Sequence, residues 1–428
     1  MIPEPVELAP SRVTAVPPGP TIDPSDPAFV ADPYPAYANI RETTPVWHPD
    51  GDHLWYLTRF ADVHAAFRDR RLGTTFLHRY TPEDLGLAPD VPVWRDARWV
   101  EFQAFERWEL LNLEPPLHTR LRRLVTEAFT PRTVDGLRSA TEDRARALLE
   151  PGREAGSIDL VGSYAQHFSL GIICDLIGVP ATDRETILGW SDETVRMYEP
   201  HPSEAQRAAS DAAAGSFRRY LLDLVAHRRS RPADDLLSAL VDATVEGERL
   251  SDDQIVSTAM VLLMAGHEAA VNATANGVAA LVAHPREWQR LRDREVTPRA
   301  AIEEVLRFDP PLQWFERWVL DDGFAVDGVE IPVGSRVALV LAAANRDPRR
   351  HDDPDRFDLS RADTTHLSLG GGIHFCIGAP LARLELETTF TELARTEREL
   401  TVVAPPVRRP TFQFRGYDRL EIALSKEA

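Results

Sequence analysis

The chain has 428 residues, 43% of them hydrophobic, so it can bury a large core. Its 48 basic and 67 acidic residues give a net charge of -19, which argues against non-specific binding to nucleic acid or to an anionic membrane surface. The two cysteines cannot build a disulfide framework, and no run approaches the roughly 18 apolar residues of a membrane-spanning helix. We therefore expect a soluble, cytoplasmic protein.

The first 25 residues are rich in proline and lack the basic and apolar regions of a signal peptide. Residues 1–25 are therefore predicted to be a disordered lead-in. No clear linker follows them, so residues 26–428 are predicted to form a single domain.

Helix patterns dominate the chain, and strand patterns become frequent only after Pro311. The apolar stripe of the helical stretch 163–177 contains Cys174, which is therefore expected to be a small buried hydrophobe. Residues 74–113 are predicted to be irregular and are rich in aromatic side chains. The fold class is mainly α with a smaller β region (α+β). Predicted helices include 34–43, 61–68, 298–308 and a segment after Arg383, and predicted strands are 54–58, 318–320, 325–331 and 336–341.

The strongest helix signal begins near Ser251. Ser251 and Gln254 form a capping box, in which each side chain satisfies a free backbone amide of the first turn. Asp252 and Asp253 place negative charge at the positive end of the helix dipole. Residues 264–271 are apolar or small on nearly every side, so this helix is predicted to cross the buried centre of the protein.

The second cysteine, Cys376, lies in a loop that reads LGGGIHFCIG from residue 369 to residue 378. Helical sequence follows Gly378, so a thiolate here would sit at a helix N-terminus, where free amides and the dipole stabilise it. The glycines would let a flat group such as an iron porphyrin approach the backbone closely. Cys376 is therefore a candidate ligand of haem iron, a ligation that favours O–O cleavage.

Three other interpretations of this loop stay open on its residues alone. The glycines could bind a dinucleotide, although no strand–GxGxxG–helix spacing is present. Cys376 could be a hydrolase nucleophile with His374 as its base, although both lie on one short loop without an obvious orienting group. The cysteine could also be merely buried.

The loop resembles the cysteine-ligand signature of the cytochrome P-450 family, and Gly372, Cys376 and Gly378 match it. The resemblance implies a cytochrome P-450 fold, with haem b between a long central helix and the Cys-ligand loop and with the Cys376 thiolate on the iron. The family's usual phenylalanine is Leu369 in this chain. We expect this change to alter the shielding and the redox potential of the ligand, but not ligation itself.

Further motifs are similar to the family's, in the family's order along the chain. His118 and Arg122 resemble the pair that grips the haem propionates, and Arg317 and His374 match two further propionate contacts. Four such donors suit two carboxylates.

Glu304-Val-Leu-Arg307 is similar to the family's E-x-x-R motif, and the resemblance implies that Arg356 completes its structural ion network. A buried glutamate and a buried arginine need each other, because either charge alone is costly.

The oxygen-activating motif of the family resembles the segment that begins at Ala265 and Gly266, in the middle of the central helix. The resemblance implies that Gly266 opens the helix beside the iron and that Glu268 is the acid of a proton-relaying acid–alcohol pair. The alcohol position is Ala269, yet O–O heterolysis needs two protons. We hypothesise that a polar group of the substrate takes part in the relay. Other candidates are Asn272, His267 or a water held by backbone carbonyls at Gly266.

The resemblance implies a monooxygenase of bacterial secondary metabolism or catabolism, which uses O2 and receives electrons from a separate ferredoxin and its reductase. Two cysteines cannot hold an iron–sulfur cluster of the usual four-thiolate kind. Hydrophobic and aromatic walls for a small-molecule substrate are expected from Phe76–Trp108, Met260–Ala265, Leu312–Phe315 and Phe412–Phe414. A peroxide-driven peroxygenase and a non-catalytic haem- or ligand-binding relative are the alternatives.

Overall fold

The computed structural model describes residues 22–24, 26–49, 54–87, 96, 98–126, 129–200, 202–245 and 248–425. Most of the predicted lead-in, residues 1–21 and 25, lies outside these ranges, so its disorder stays a prediction. The assignment of residues 26–428 to one domain also stays a prediction. Ile22 shortens the lead-in, because its side chain is buried in a cluster with Phe29 and Tyr37.

Helices form most of the described fold, in the order that the sequence predicts. The expected helices at 34–43 and 298–308 are confirmed, and the one at 61–68 begins and ends slightly earlier. Residues 74–113 are not irregular throughout, since they contain a short helix. The helices are α1 (Pro27–Ala31), α2 (Tyr34–Thr43), α3 (Phe60–Ala66), α4 (Val100–Glu106), α5 (Leu117–Thr126), α6 (Pro131–Gly136), α7 (Arg138–Ala155), α8 (Gln166–Ile177), α9 (Arg184–Val195), α10 (Glu204–Ser230), α11 (Leu236–Asp242), α12 (Asp252–Ala283), α13 (Pro285–Arg292), α14 (Pro298–Phe308), α15 (Leu341–Ala344) and α16 (Ala379–Thr396).

The strands are short, and the largest sheet combines strands from the N-terminal part of the chain with strands from its C-terminal part. It has five strands in the order β1-β2-β10-β7-β3, with β2 and β10 parallel and the other neighbours antiparallel. The strands are β1 (Val46–Trp47), β2 (Leu54–Leu57), β3 (Leu72–Gly73), β4 (Ser157–Asp159), β5 (Thr244–Val245), β6 (Glu248–Arg249), β7 (Trp314–Val319), β8 (Ala325–Val326), β9 (Val329–Glu330), β10 (Arg336–Val340), β11 (Val407–Arg408), β12 (Tyr417–Arg419) and β13 (Glu421–Ala423). The α+β class is confirmed, although β1, β2 and β3 of the largest sheet come early in the chain, so the β region is not confined to its late part.

The 32-residue helix α12 is the centre of the helical part of the fold. Both hydrogen bonds of the predicted capping box are present at its start, between Ser251 and Gln254. Because most of its side chains are apolar or small on every face, α12 packs against α8, α10, α14 and α16 at once. Cys174, on α8, is fully buried in the same core, as expected.

Two helical segments are long and apolar enough to cross a membrane, by length and composition alone, in contrast to the sequence expectation. They are Leu160–Ile177 and α12, and 67% and 78% of their 18-residue apolar segments are buried inside the fold. Core helices of this kind bury their apolar surface against protein, which accounts for their composition without a membrane.

Candidate active site

The loop that carries Cys376 is a tight turn held by its own backbone. The Cys376 amide donates to the Leu369 carbonyl at 2.9 Å, and the Phe375 amide donates to the Gly372 carbonyl at 3.3 Å. Gly370 and Gly372 have φ values of 69° and 64°, in the left-handed region that favours glycine. The glycines therefore shape the loop that presents the sulfur.

Gly372 is also required by its neighbour, because a Cβ atom there would overlap the carbonyl oxygen of Phe67 at the end of α3. At Gly378, by contrast, an added Cβ would meet no described atom within 4 Å. Leu369, at the family's phenylalanine position, is half-buried and lines a cleft of about 410 Å³ with Phe375 and Arg383. The expected change in ligand shielding at Leu369 stays a prediction.

Helix α16 begins three residues after the cysteine, with Gly378 at its N-cap, as the sequence predicts. Burial raises the pKa of the Cys376 thiol, whereas the backbone amide of Gly378 and the guanidinium of Arg122 act in the opposite direction. The helix N-terminus alone therefore does not hold the thiolate. A thiolate here needs a cation as partner, which a ligated metal ion supplies.

The E-x-x-R motif lies on α14 and is connected by hydrogen bonds to the start of the cysteine loop. Glu304 and Arg307 are fully buried and form a two-bond ion pair, at 2.7 and 2.9 Å. Arg307 also donates to the Asn345 carbonyl at 3.0 Å. The Asn345 side chain in turn bonds the Leu367 amide and the Ser368 hydroxyl, both at 2.8 Å, at the start of the loop. The network thus connects α14 to the loop that holds the cysteine.

The prediction that the Arg356 side chain completes this network is wrong. That side chain is 63% exposed and pairs with Asp358, and only the Arg356 carbonyl accepts from Arg307, at 3.2 Å. Arg361 takes the place instead, with its Nε 3.4 Å from the Glu304 Oε2 and its side chain 10% exposed. The turn at residues 352–356 brings Arg361 back to Glu304, because Arg361 donates to the carbonyls of that turn.

The four residues predicted to contact the propionates lie on three separate elements. Two of these residues, His118 and His374, are in direct contact. His118 on α5 and His374 in the cysteine loop have ring centroids 4.3 Å apart. Arg122, one turn after His118, donates to the Phe375 carbonyl, whereas the guanidinium of Arg317 on β7 stacks over the Phe67 ring. The four donors therefore lie close to the cysteine loop.

Burial disfavours the charged forms of this donor set. Burial, together with the charges of His374 and Arg122, lowers the pKa of His118 to about 4. Burial likewise lowers the pKa of Arg317 to about 10. The His118 Nε2 atom is buried and has no hydrogen-bond partner in the described part of the chain. Glu114 is the acid closest to this set, with its Oε1 3.8 Å from the His374 Nε2.

Haem b fits these residues. Burial disfavours the charged forms of His118, Arg317 and His374, and two propionates would supply anionic partners that favour those forms and accept their hydrogen bonds. The Cys376 thiolate would be stabilised by a metal cation against the burial that raises its pKa, and the open space at Gly378 leaves room for a flat group beside the loop. The three sequence alternatives for the loop lack such support.

The predicted oxygen-activating segment has an accessible face in the middle of the otherwise buried helix α12. Ala265 is exposed and Ala269, one turn later, is half-buried, although the helix on either side is almost wholly buried. Residues four apart lie on the same side of a helix, so these two alanines share one face. Such a face is expected where a helix borders an internal cavity.

Gly266 has a different role from the one expected. Helix α12 is continuous through this segment, and the Gly266 carbonyl accepts from the Ser169 hydroxyl of α8 at 3.3 Å. An added Cβ at Gly266 would lie 2.8 Å from Ile173, also on α8. The glycine therefore permits the close crossing of α8 and α12, and the expected local opening of the helix is not found there.

Glu268 is buried and held by two partners, one of which sequence reasoning missed. Its Oε1 accepts from the Asn272 amide at 3.2 Å and forms an ion pair with the guanidinium of Arg409. Arg409 lies 141 residues away, after β11, so no local signal could have indicated it. The close approach of its segment is visible at Gly416, where an added Cβ would overlap the Asn272 amide.

Several expected wall residues of the substrate pocket are core anchors. Phe76 is fully buried against Trp318, with ring centroids 4.7 Å apart. Phe412 is buried between Trp314 and Phe29. These rings do not line a cavity, and this part of the wall prediction is wrong.

Comparisons with known proteins agree with this geometry. A family model described as "Cytochrome P450" matches residues 194–396. Vitamin D(3) 25-hydroxylase of Pseudonocardia autotrophica is 36% identical over 403 residues, which cover 92% of this chain and 94% of that protein. The chain belongs to the cytochrome P450 family. It is a P450 monooxygenase, an oxidoreductase whose cofactor is haem b with a cysteine thiolate as axial ligand.

Two further similarities describe this P450 more closely. The 6-deoxyerythronolide B hydroxylase of Saccharopolyspora erythraea is 35% identical over 410 residues, covering 93% of this chain and 97% of that one. The crystal structure of P450BioI, in complex with an acyl carrier protein that carries hexadec-9Z-enoic acid, superposes with a TM-score of 0.85 at 29% identity. That match covers 93% of this chain and 100% of the other, so the P450 fold extends over nearly the whole chain.

Proposed function

We propose that this P450 inserts one oxygen atom of O2 into a bulky, mainly apolar small molecule of the polyketide or steroid kind, with Cys376 as the iron ligand. The accessible strip formed by Ala265 and Ala269 in a buried helix carries the proposal, because small side chains there leave room for dioxygen and substrate. Relatives named as hydroxylases of vitamin D(3) and 6-deoxyerythronolide B support this substrate class.

The chain's own residues divide the work around the haem, which supplies oxygen activation when it is bound. Cys376 would bind the iron, and His118, Arg122, Arg317 and His374 would hold the propionates. Gly372 and Gly378 would keep the loop close to the ring. Glu268 would hold a proton near the accessible face of α12.

Electrons are proposed to come from a ferredoxin and its reductase, because the two cysteines leave no ligands for an internal cluster of the four-thiolate kind. Arg122 and the exposed Arg123 lie on α5 beside the cysteine loop, where a partner would approach the sulfur side. A cytoplasmic location agrees with such soluble partners and is part of the proposal.

Thiolate ligation is tested with the two cysteines of the chain as a matched pair. We expect the reduced protein with bound carbon monoxide to show the red-shifted Soret band of thiolate-ligated haem. Cys376→Ser should abolish this band, whereas Cys174→Ser, in the core of α8, should retain it. A native, haem-loaded protein without the band would contradict the proposed function.

The missing hydroxyl at Ala269 makes a second prediction about proton supply. If a polar group of the substrate takes part, Ala269→Thr should change the coupling of NADPH use to product by less than about twofold, because the added hydroxyl is redundant. Ala270→Thr, at the adjacent buried position, is the control. The probe is the macrolide aglycone or steroid that gives the largest spin-state shift in an optical titration. A large gain in coupling with Ala269→Thr would contradict substrate assistance.

A peroxide-driven peroxygenase is the second candidate, and Ala269 is the observation that favours it, since peroxide brings its own protons. A non-catalytic haem-binding relative is the third. Turnover of the same probe with hydrogen peroxide alone would identify the peroxygenase. Product formation only with a surrogate ferredoxin, its reductase and O2 would support the monooxygenase, and no product under either condition would support the binding protein.

A further inference from the structure

A polar cluster lies beside the accessible face of α12, at the bottom of a cavity of about 300 Å³. Glu268 is buried at this bottom, whereas Asp418 and Arg196, farther out in the lining, have side chains about half exposed. The cavity therefore connects a buried carboxylate to the protein surface.

Helix geometry places Glu268 between two different environments. At about 100° per residue, Glu268 lies about 60° around α12 from Ala265 and about 100° from His267. Ala265 belongs to the accessible face, and His267 is fully buried on the side of α9. A proton on Glu268 is thus one side-chain rotation from either side.

Arg409 holds Glu268 but lies near more negative charge than its single positive charge balances. Its Nη1 pairs with Glu268, and its Nε lies 3.4 Å from the Asp418 Oδ1. The charges of Glu268 and Asp192 raise the pKa of Arg409 against the effect of burial. One guanidinium beside three carboxylates can exchange partners, and each exchange would release Glu268 to rotate.

His267 and Asp192 present two acceptor atoms to each other. The His267 Nδ1 lies 2.8 Å from the Leu263 carbonyl, which only accepts, so Nδ1 carries the hydrogen. In the neutral ring the Nε2 is then an acceptor, and it lies 4.0 Å from the Asp192 Oδ1. Neither atom has a hydrogen-bond partner among the described residues. A proton or a water molecule between them resolves this arrangement.

The charges around His267 favour the proton. Burial disfavours its charged form, but the nearby carboxylate of Asp192, the charge of Glu268 and the Leu263 carbonyl together raise its pKa above the ordinary value. Glu385 on α16 also interacts with His267, but burial raises the pKa of Glu385 to about 8, so it adds little negative charge near neutral pH. The charged acids that favour the proton on His267 are therefore Asp192 of α9 and Glu268 of α12.

We propose that this cavity is the proton inlet of the enzyme, with the Asp192–His267 pair as its proton store and Arg409 as the residue that positions Glu268. The inference rests on the proposed monooxygenase function. In that reaction R–H, O2, two electrons and two protons give R–OH and water. The O–O bond breaks, the redox partner supplies the electrons, and both protons leave as the water molecule. The inlet delivers those protons from solvent to Glu268.

The first test compares Arg409→Gln and Asp192→Asn with Arg196→Gln. Arg196 lines the same cavity, and its side chain pairs with Glu193, at 3.9 Å, rather than with Glu268 or His267 among the described residues. For the first two variants we expect at least about a threefold rise in peroxide released per NADPH and a larger solvent deuterium effect on product formation, because protonation becomes limiting. Arg196→Gln should match the native enzyme. Arg409→Lys, which keeps the charge, should lie between the two.

The second test does not depend on activity. In ¹⁵N-histidine-labelled, carbon monoxide-bound enzyme, the His267 resonance is assigned by its loss in His267→Gln and titrated against pH. Asp192→Asn should lower the His267 pKa, whereas Arg196→Gln should leave it unchanged. An unchanged pKa in Asp192→Asn, or native peroxide yield and isotope effect in both Arg409 variants, would overturn the inlet. The Soret band recorded on every sample distinguishes that failure from a failure of the proposed function.

Discussion

Glu304 shows how a single buried charge selects its partners. It is fully buried with Arg307, and a buried carboxylate left partly unpaired costs free energy that solvent cannot recover. The Asp358 amide and the Arg361 guanidinium satisfy the remaining capacity of Glu304. Arg356 is the residue that the sequence motif predicted, but its side chain points to solvent, where an ion pair contributes little to stability.

The two arginines therefore make a matched prediction. Arg361→Gln should reduce the free energy of unfolding by about 1.5–3 kcal/mol, the range for a hydrogen bond to a charged group, because Glu304 loses a buried cation. Arg356→Gln should change it by less than about 0.5 kcal/mol, as at other exposed positions. Denaturant unfolding of the haem-loaded protein measures both values. Equal effects, or a larger effect at Arg356, would restore the original assignment of the network.

At the scale of elements, α12 packs tightly against its neighbours at two glycines. At Gly277 an added Cβ would lie 2.7 Å from the Phe390 ring of α16 and 2.9 Å from Val305 of α14. Gly266 plays the same part against Ile173 of α8. Helix axes can approach this closely only where one side chain is missing, so these two glycines set how α12 sits among its neighbours.

Gly277→Ala should therefore destabilise the protein by about 1–3 kcal/mol, the usual cost of overpacking a filled core. Phe390→Leu removes the atoms in the way and should recover part of that loss in the double variant, because contacting residues are not additive. The coupling energy is obtained from four unfolding curves. Strictly additive effects would show that the α12–α16 contact does not depend on this pair.

The elements that could be predicted from the sequence are those whose structure is determined by residues close together in the chain. The start of α12 follows from the capping box at Ser251 and Gln254, and the cysteine loop follows from its glycines. The pairing of Arg409 with Glu268 joins segments 141 residues apart, and no period or cap reports such a contact. Family spacing likewise indicated an arginine for Glu304, but the turn at residues 352–356 decided which one.

At the scale of the whole molecule, Asp309 joins the two ends of the described chain. The carboxylate follows α14 and accepts from Tyr34 of α2 at 2.6 Å. Arg415 and Arg408, from the C-terminal β region, donate to it at 2.8 and 3.1 Å. Arg415 also donates to the carbonyls of Val30 and Ala31, so one buried ion network anchors both the first helices and the last strands.

This network makes stability depend on pH in a defined direction. Burial alone would raise the pKa of Asp309, but the charges of Arg415 and Arg408 and the hydrogen bond from Tyr34 hold it well below its ordinary value. A carboxyl with a lowered folded pKa stabilises the fold above its unfolded pKa of about 3.9, and that contribution is lost as pH falls toward the folded pKa.

Asp309→Asn should therefore reduce the free energy of unfolding at pH 7 by about 3–5 kcal/mol, the cost of removing one partner of a buried ion pair. The deficit relative to the native protein should be constant between about pH 5 and pH 8 and should shrink below about pH 4, because the Asp309 carboxyl gains a proton there in the unfolded state but not yet in the folded state. Asp327→Asn, which breaks an exposed pair with Arg59, should cost less than about 1 kcal/mol at every pH. Urea titrations of the three haem-loaded proteins across this range measure the deficit. If it stays constant down to pH 3, the ion network around Asp309 does not provide the pH-dependent stability, because only a group that titrates between the two pKa values can make the difference disappear.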